Sequence, residues 1–153
     1  WLPGGIEGDD TDGHIDDVAR FITPDTVAAI RADASHPDHA TLERNWRALE
    51  SSRDQDGNPL RLIALPVPEP IYYDYPADQF GPGGRKQLPA SYANFLIVNE
   101  AVLVPTFGQR NDDIALRTLA EAMPDHEIIG VRSERLVVGL GAIHCLSMQQ
   151  PRV

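Results

Sequence analysis

Cysteine occurs once in the 153 residues, at Cys145, so no disulfide forms within the chain and no cysteine-rich zinc site can be built. Basic side chains are also scarce: 13 Lys and Arg stand against 23 Asp and Glu, a formal net charge of -10 with neutral histidines. That balance argues against nucleic acid or an anionic membrane as partner, since both are held by neutralising phosphate with positive side chains, and it suits a small cationic ligand. No stretch approaches the ~20 consecutive apolar residues of a membrane span, and the amino terminus lacks a basic and apolar leader, so a soluble, cytoplasmic protein is expected. An initiator methionine is missing too; the chain opens Trp1-Leu2-Pro3-Gly4-Gly5 and reads as a piece of something longer. What is present is 42% hydrophobic content over a length that fits one domain with a core.

The pattern of apolar residues and breakers predicts an α+β chain. Residues 19–22 and 27–30 read as a hairpin turning at Pro24-Asp25. A helix is expected over 35–53, where Leu42, Trp46 and Leu49 share a face at spacings of four and three. A strand follows at 60–65. From Pro66 to Pro89 the composition changes to six prolines, three glycines and the aromatics Tyr72, Tyr73, Tyr75 and Phe80, which predicts a long loop, ordered as a rim or cover over a ligand, with a mobile surface excursion as the alternative. Then the order of elements returns: a hairpin over 95–98 and 102–104, a helix capped by Asn111 and stopped by Pro124, and a strand at 128–131. Placing Ala19-Arg20-Phe21 over Ala93-Asn94-Phe95, 74 residues apart, brings hairpin over hairpin and helix over helix. Two strand-strand-helix-strand modules, at about 14–66 and 91–132, are therefore expected, with a loop at 67–90 and the beginning of a further module over 135–153. An ordinary α+β domain without repetition is the competing reading.

Two clusters could carry chemistry. Residues 7–17 hold six carboxylates and no Lys or Arg. They do not form a calcium loop: with Gly13 at the invariant glycine, the first ligand position falls on Gly8 and the last on Ala19. If residues 13–17 enter a strand, His14 and Asp16 share a face and Ile15 takes the other. A histidine beside a carboxylate suits proton transfer, a metal site or plain surface polarity, and His-x-Asp alone does not choose among them. The second cluster is Gly139-Leu140-Gly141-Ala142-Ile143-His144-Cys145. Gly141 lets backbone approach a ligand closely and aims N–H groups at developing charge. Cys145 is either a buried apolar thiol or a nucleophile. Strand alternation would put His144 on the face opposite Cys145, as a hydrogen-bonded structural residue and not the direct base. His36, His39 and His126 suit solvated or capping roles.

Taken in order, Gly8-Asp9-Asp10-Thr11-Asp12-Gly13-His14-Ile15-Asp16, Leu88-Pro89-Ala90-Ser91-Tyr92-Ala93-Asn94-Phe95, Val104-Pro105-Thr106-Phe107-Gly108 and the run from Gly139 to Cys145 and on through Gln149-Gln150-Pro151 resemble the agmatine deiminase family, which includes the bacterial Porphyromonas-type peptidyl-arginine deiminases. The four motifs span the chain. The resemblance implies a pentein-type pseudo-symmetric α/β propeller of five modules, of which about two and a half are here, matching the carboxyl half of the family. It implies Cys145 as nucleophile, His14 as acid-base histidine, Asp16 as the carboxylate that binds a guanidinium, and Asn94 as a residue lining or supporting the site. Asp10 and Asp12 would help attract a cationic substrate, and Gly141 would bring backbone to it. Leu140 and Ala142 depart from the Gly-Gly-Gly-Asn run that many relatives carry before Ile-His-Cys.

The implied reaction is hydrolysis of agmatine to N-carbamoylputrescine and ammonia through a covalent thiouronium on Cys145, with no metal or organic cofactor. The implied partners are the small cationic guanidine and the missing amino-terminal half; no nucleic acid or membrane is implied, and homo-oligomerisation is left open. A peptidyl-arginine deiminase, an inactive guanidinium-binding fragment and a metal-dependent hydrolase using His14 and the carboxylates are the competing functions.

Overall fold

The computed structural model describes residues 1–77 and 82–150. Strand β2, Thr26–Ile30, is buried at all five positions because neighbours cover it on both edges and both faces. Strand β1, Ala19–Phe21, pairs with it antiparallel, and β3, Arg61–Leu65, pairs with it parallel. A parallel partner needs a crossover, which helix α1, His39–Ser51, supplies. Leu42, Trp46 and Leu49 line the buried face of α1, and full burial of a side chain such as Leu42 contributes roughly 1.5–3 kcal/mol. Asn45 lies among them without being left unpaired: its amide donates to Gly4 O at 2.7 Å and its Oδ1 accepts from Gly4 N–H at 3.2 Å. That clamp fixes the start of the chain, and hence the acidic run that follows, against the helix.

The arrangement recurs. Strand β6, Leu96–Val98, runs antiparallel to β7, Ala101–Thr106; helix α2, Arg110–Ala122, crosses over, and β8, Glu127–Arg132, joins β7 parallel. Both three-stranded sheets thus have the hairpin first and the parallel strand last. Pro105 sits in the central strand β7 at no cost to the hairpin ladder, because pairing with β6 ends at Leu103. Helix α2 packs on β8 and also on β3 of the first sheet, so one core spans both, from Ile30, Leu42 and Leu65 to Phe95, Val104 and Leu119.

Several boundaries differ from expectation for physical reasons. The first helix begins at His39 rather than residue 35, since residues 34–38 are spent on turns in which His36 N–H reaches Asp33 O. The second helix is capped by Gln109, not Asn111: Gln109 and Asp112 form a capping box, while the Asn111 amide reaches out to Val67 O at 2.8 Å. The proline-rich stretch is not all loop. It contains an antiparallel hairpin, β4 at Tyr72–Tyr75 and β5 at Gly84–Gln87. Phe80 and the rest of 78–81 lie outside the described residues.

The hairpin is tied to the part of the chain that carries Cys145. Tyr75 donates its hydroxyl to Val138 O at 2.5 Å. A second apolar cluster of Leu88, Tyr92, Phe107, Ala115 and Val137 gathers Ile71, Tyr75 and Leu140 around it. Gly8 packs against the far end of the same hairpin: at φ +88°, an added Cβ would stand 2.3 Å from Gln87 O. One element therefore braces both chemistry-bearing clusters. Residues 135–150 contain a single turn of 3-10 helix, Val137–Gly139, and no strand.

Candidate active site

Two short segments without regular strand geometry build the site. Asp12 and Gly13 adopt left-handed conformations, φ 60° and 97°, which break any extended run. Residues Ile15–Asp17 then close a single 3-10 turn, Val18 N–H donating to Ile15 O at 2.9 Å. The expected strand over 13–17 is thereby corrected, and with it the alternation argument: Ile15 is exposed, while Asp16 and Asp17 are turned inward together. On the other side, Leu140 is left-handed at φ 64° and residues 143–146 form a turn. His144 and Cys145 consequently face one cleft, which corrects the placement of His144 on the opposite face.

The cleft has a volume of ≈ 350 Å³ and is lined by Asp9, His14, Asp16, Asp17, His144 and Cys145, with Thr11, Leu140 and Ser147 at its margins. Asn94 forms its floor. It is fully buried, on a turn that Ser91 anchors by donating to Asp17 O at 2.7 Å. The Asn94 Oδ1 accepts the backbone N–H groups of His144 (2.9 Å) and Cys145 (3.3 Å), which fixes which end of the amide is oxygen. Its Nδ2 is directed at Asp17 Oδ1 (2.9 Å), Cys145 Sγ (3.1 Å) and Asp16 Oδ2 (3.2 Å). One side chain, supplied from between the two sheets, thus holds both carboxyls and the thiol.

His144 Nδ1 lies 2.7 Å from Asp16 Oδ2 and Cys145 Sγ lies 3.4 Å from the same oxygen. His14 donates its backbone N–H to Asp9 Oδ2 at 2.9 Å and is one of the residues lining the cleft. Asp10 is exposed and outside the lining residues; Asp9 takes that place. Gly141 is buried behind the nucleophile candidate, where an added Cβ would meet Cys145 Cβ at 2.7 Å and Sγ at 3.2 Å. Its role is to leave room for the Cys145 side chain.

The electrostatics separate the two adjacent carboxyls. Burial tends to raise the pKa of Asp16, but hydrogen bonds from His144 and Cys145 outweigh it and the net direction is down. Asp17 is pushed up to about 7, first by burial and then by the neighbouring charge of Asp16, with the Asn94 bond opposing. Burial also raises the Cys145 thiol; the Asn94 bond and the Ala142 backbone N–H pull it down, and the charges of Asp17 and Asp16 push it up again. Arg20 stands behind Asp16, donating to Phe95 O at 2.8 Å; burial lowers its pKa and Asp16 raises it.

Asp16, Asp17 and Cys145 bring potential ligand atoms within 4.8 Å of one another. The geometry does not suit a cation between them, because the Asn94 NH2 group already stands within 3.2 Å of all three. The residues passed over in the sequence are Asp17, given no role, and His144. The glycines at 139 and 141 were the available signal: a run so rich in glycine need not hold the period-two geometry on which the assignment of faces depended.

Residues 1–151 match the model of the family described as Porphyromonas-type peptidyl-arginine deiminase. The chain is 36% identical to the agmatine deiminase of Medicago truncatula over 100% of its own length and 44% of that protein, and 35% identical to the agmatine deiminase of Stutzerimonas stutzeri over 99% and 44%. The solved structure of Enterococcus faecalis agmatine deiminase superposes with a TM-score of 0.91 at 34% identity, covering 99% of this chain and 44% of that one. The chain therefore spans less than half the length of the relatives it matches. No helix among the described residues is long and apolar enough to cross a membrane.

Proposed function

The chain belongs to the Porphyromonas-type peptidyl-arginine deiminase family, and we propose on that premise that it supplies the thiol side of a guanidine-hydrolysing site, with Cys145 as nucleophile, His14 as acid and base, and Asp16 as the carboxylate that receives the guanidinium. The observation that carries this reading is the meeting of Cys145 Sγ and Asp16 Oδ2, 129 positions apart in sequence, in the cleft that His14 also lines. A guanidinium presents a planar fork of N–H donors, and a carboxylate accepts two of them in parallel. Asp16, kept ionised by His144, suits that task.

The carbon of a guanidinium is flanked by three nitrogens sharing one positive charge, and water is a poor attacker on it at neutral pH. In the proposed route the Cys145 thiol passes its proton to His14, and the thiolate attacks that carbon and forms a tetrahedral adduct. His14 donates a proton to one nitrogen, which leaves as ammonia, and a thiouronium remains on the sulfur. His14 then takes a proton from water as it attacks; the C–S bond breaks, the hydroxyl proton of the adduct passes to solvent, and the ureido product leaves with the thiolate restored. Partial desolvation and the charge of Asp16 hold the resting thiol above its ordinary range. A bound guanidinium reverses that balance, placing positive charge beside the sulfur when the thiolate is needed.

The names of the relatives favour agmatine, giving N-carbamoylputrescine, and the family description makes peptidyl arginine the second candidate. The two matching sheets are read as two modules of a five-module propeller, with the segment after residue 134 as the start of another, so that turnover needs the further length the relatives have. Ammonia release from agmatine and from an arginine peptide, measured on this chain and on the longest form of the protein, tests the proposal together with acid-quench mass spectrometry at Cys145. A Cys145→Ala form that keeps its ammonia release, or the lack of any adduct on Cys145 during turnover, would overturn it.

A further inference from the structure

The buried acid beside Asp16 has no part in the route above. We propose that Asp17 is a positioning residue that holds a proton in the wall of the cleft, so that Cys145 faces one carboxylate instead of two. Three facts of geometry support it. Asp17 is 3% exposed, so its ionised form would lose most of its hydration. Among the described residues its Oδ1 receives one N–H bond, from Asn94, and that donor is shared with Asp16 and the sulfur. Asp16 Oδ2, by contrast, has His144 Nδ1 at 2.7 Å as a further hydrogen-bond partner. Two adjacent carboxyls with one such partner divide the labour: Asp16 carries the charge and Asp17 carries the proton.

The charged and titratable groups around Asp17 are Asp16 on its own turn, Asp9 from the acidic run, His144 and Cys145 across the cleft, His14 on the same lining, and Arg20 behind Asp16. Asp16 and Asp9 both disfavour a second negative charge, which agrees with the rise of Asp17 to about 7. The consequence is a coupling to the thiol. When Asp17 loses its proton, a negative charge appears within 4.8 Å of the sulfur and the thiolate becomes harder to form. The inference depends on the proposed function only for its value in catalysis; thiol reactivity is measurable without substrate.

The experiment is alkylation of Cys145 by iodoacetamide, followed by intact mass from pH 6 to 9, in the wild-type chain and in Asp17→Asn. Asn has the same shape and can still accept the Asn94 bond. The variant-to-wild-type rate ratio is expected to be near one at pH 6, where Asp17 is protonated, and to rise to about tenfold at pH 8.5, where wild type carries the extra charge. A ratio that stays constant across the range would overturn the proposal, since a merely structural disturbance has no reason to follow pH. Infrared titration of the wild-type chain is the second measurement and does not need the variant to fold. A carboxylic-acid C=O band that persists at pH 6 and is lost near pH 7 is the expected result; its absence at pH 6 overturns the inference. A thiol that resists alkylation at every pH would count against Cys145 as nucleophile, with the infrared result still deciding on Asp17.

Discussion

The carboxylates of residues 9–12 and those of Asp16 and Asp17 belong to one acidic run, yet they live in different media. Asp9 spends its oxygens on neighbours no more than five positions away, the Thr11 backbone and hydroxyl and the His14 backbone, while Asp10 and Asp12 are exposed. The partners of Asp16 and Asp17 come from far along the chain: Asn94 at 77 and 78 positions, His144 at 128 and Cys145 at 129. The first group shapes a loop and the second joins the two halves of a site. A carboxylate at the surface keeps its hydration and acts weakly on its neighbours; one moved inward must find partners or take up a proton. Local sequence does not separate the two cases.

Substitutions can test that contrast. Cys145→Ala removes the group on which the buried carboxyls converge, and should lower turnover by roughly 10⁴-fold or more in the longest form of the protein, read as ammonia release under saturating agmatine. Asn94→Ala leaves the His144 and Cys145 backbone N–H groups without their acceptor and frees both carboxyls; a loss of about 2–4 kcal/mol in urea unfolding and about 10²-fold in kcat is expected. If stability held while kcat collapsed, Asn94 would be acting on substrate directly rather than as a clamp.

Asp17→Asn bears on the proton itself. The folded-state value of Asp17, about 7, lies above its usual 3.8, so the fold binds its proton more tightly than the unfolded chain does. The stability this contributes is full at low pH and is lost as pH rises through 7. Between pH 5 and 8 wild type should therefore lose about 2–3 kcal/mol relative to Asp17→Asn, as followed by urea unfolding. A pH-independent difference would place Asp17 with the exposed group.

Smaller effects should follow from His144→Ala and Asp10→Asn. Without His144, Asp16 loses the bond that offsets its burial and its carboxyl moves up. The expected outcome is about a tenfold rise in KM for agmatine near pH 6, and an acid limb of kcat/KM displaced to higher pH; a change in kcat alone would assign His144 to the chemical step. Asp10→Asn, on an exposed residue outside the cleft, should change kcat/KM by no more than about twofold, and less as salt is raised. A tenfold loss would show that the surface group shares in binding after all.

Much of the fold was legible because its signals are local and periodic. Leu42, Trp46 and Leu49 mark the face of α1 by spacing alone, and the hairpin-helix-strand order reappears in the two sheets. The hairpin β4–β5 was hidden because Tyr72–Tyr75 and Gly84–Gln87 are largely exposed and carry no buried face to set a period. In the candidate site, His14, Asp16, Asn94 and Cys145 were singled out through ordered motifs, and the fold brings the last three into contact. His144 was misplaced because strand alternation was applied to a turn.

The sequence by itself determined which residue types were available: one thiol, a histidine close to two adjacent aspartates, and glycines where backbone and sulfur crowd. Those are properties of composition and order, and order also carries the secondary structure. Only the tertiary structure decided that Asp16 and Asp17 would differ. Which carboxyl gains His144 and which is left with a proton depends on a floor, Asn94, contributed from nearly 80 residues away, and on how much water the packed walls exclude. Desolvation and hydrogen-bond geometry are set by what the fold brings together in space, so the charge state of two neighbours in sequence is fixed by residues distant from both.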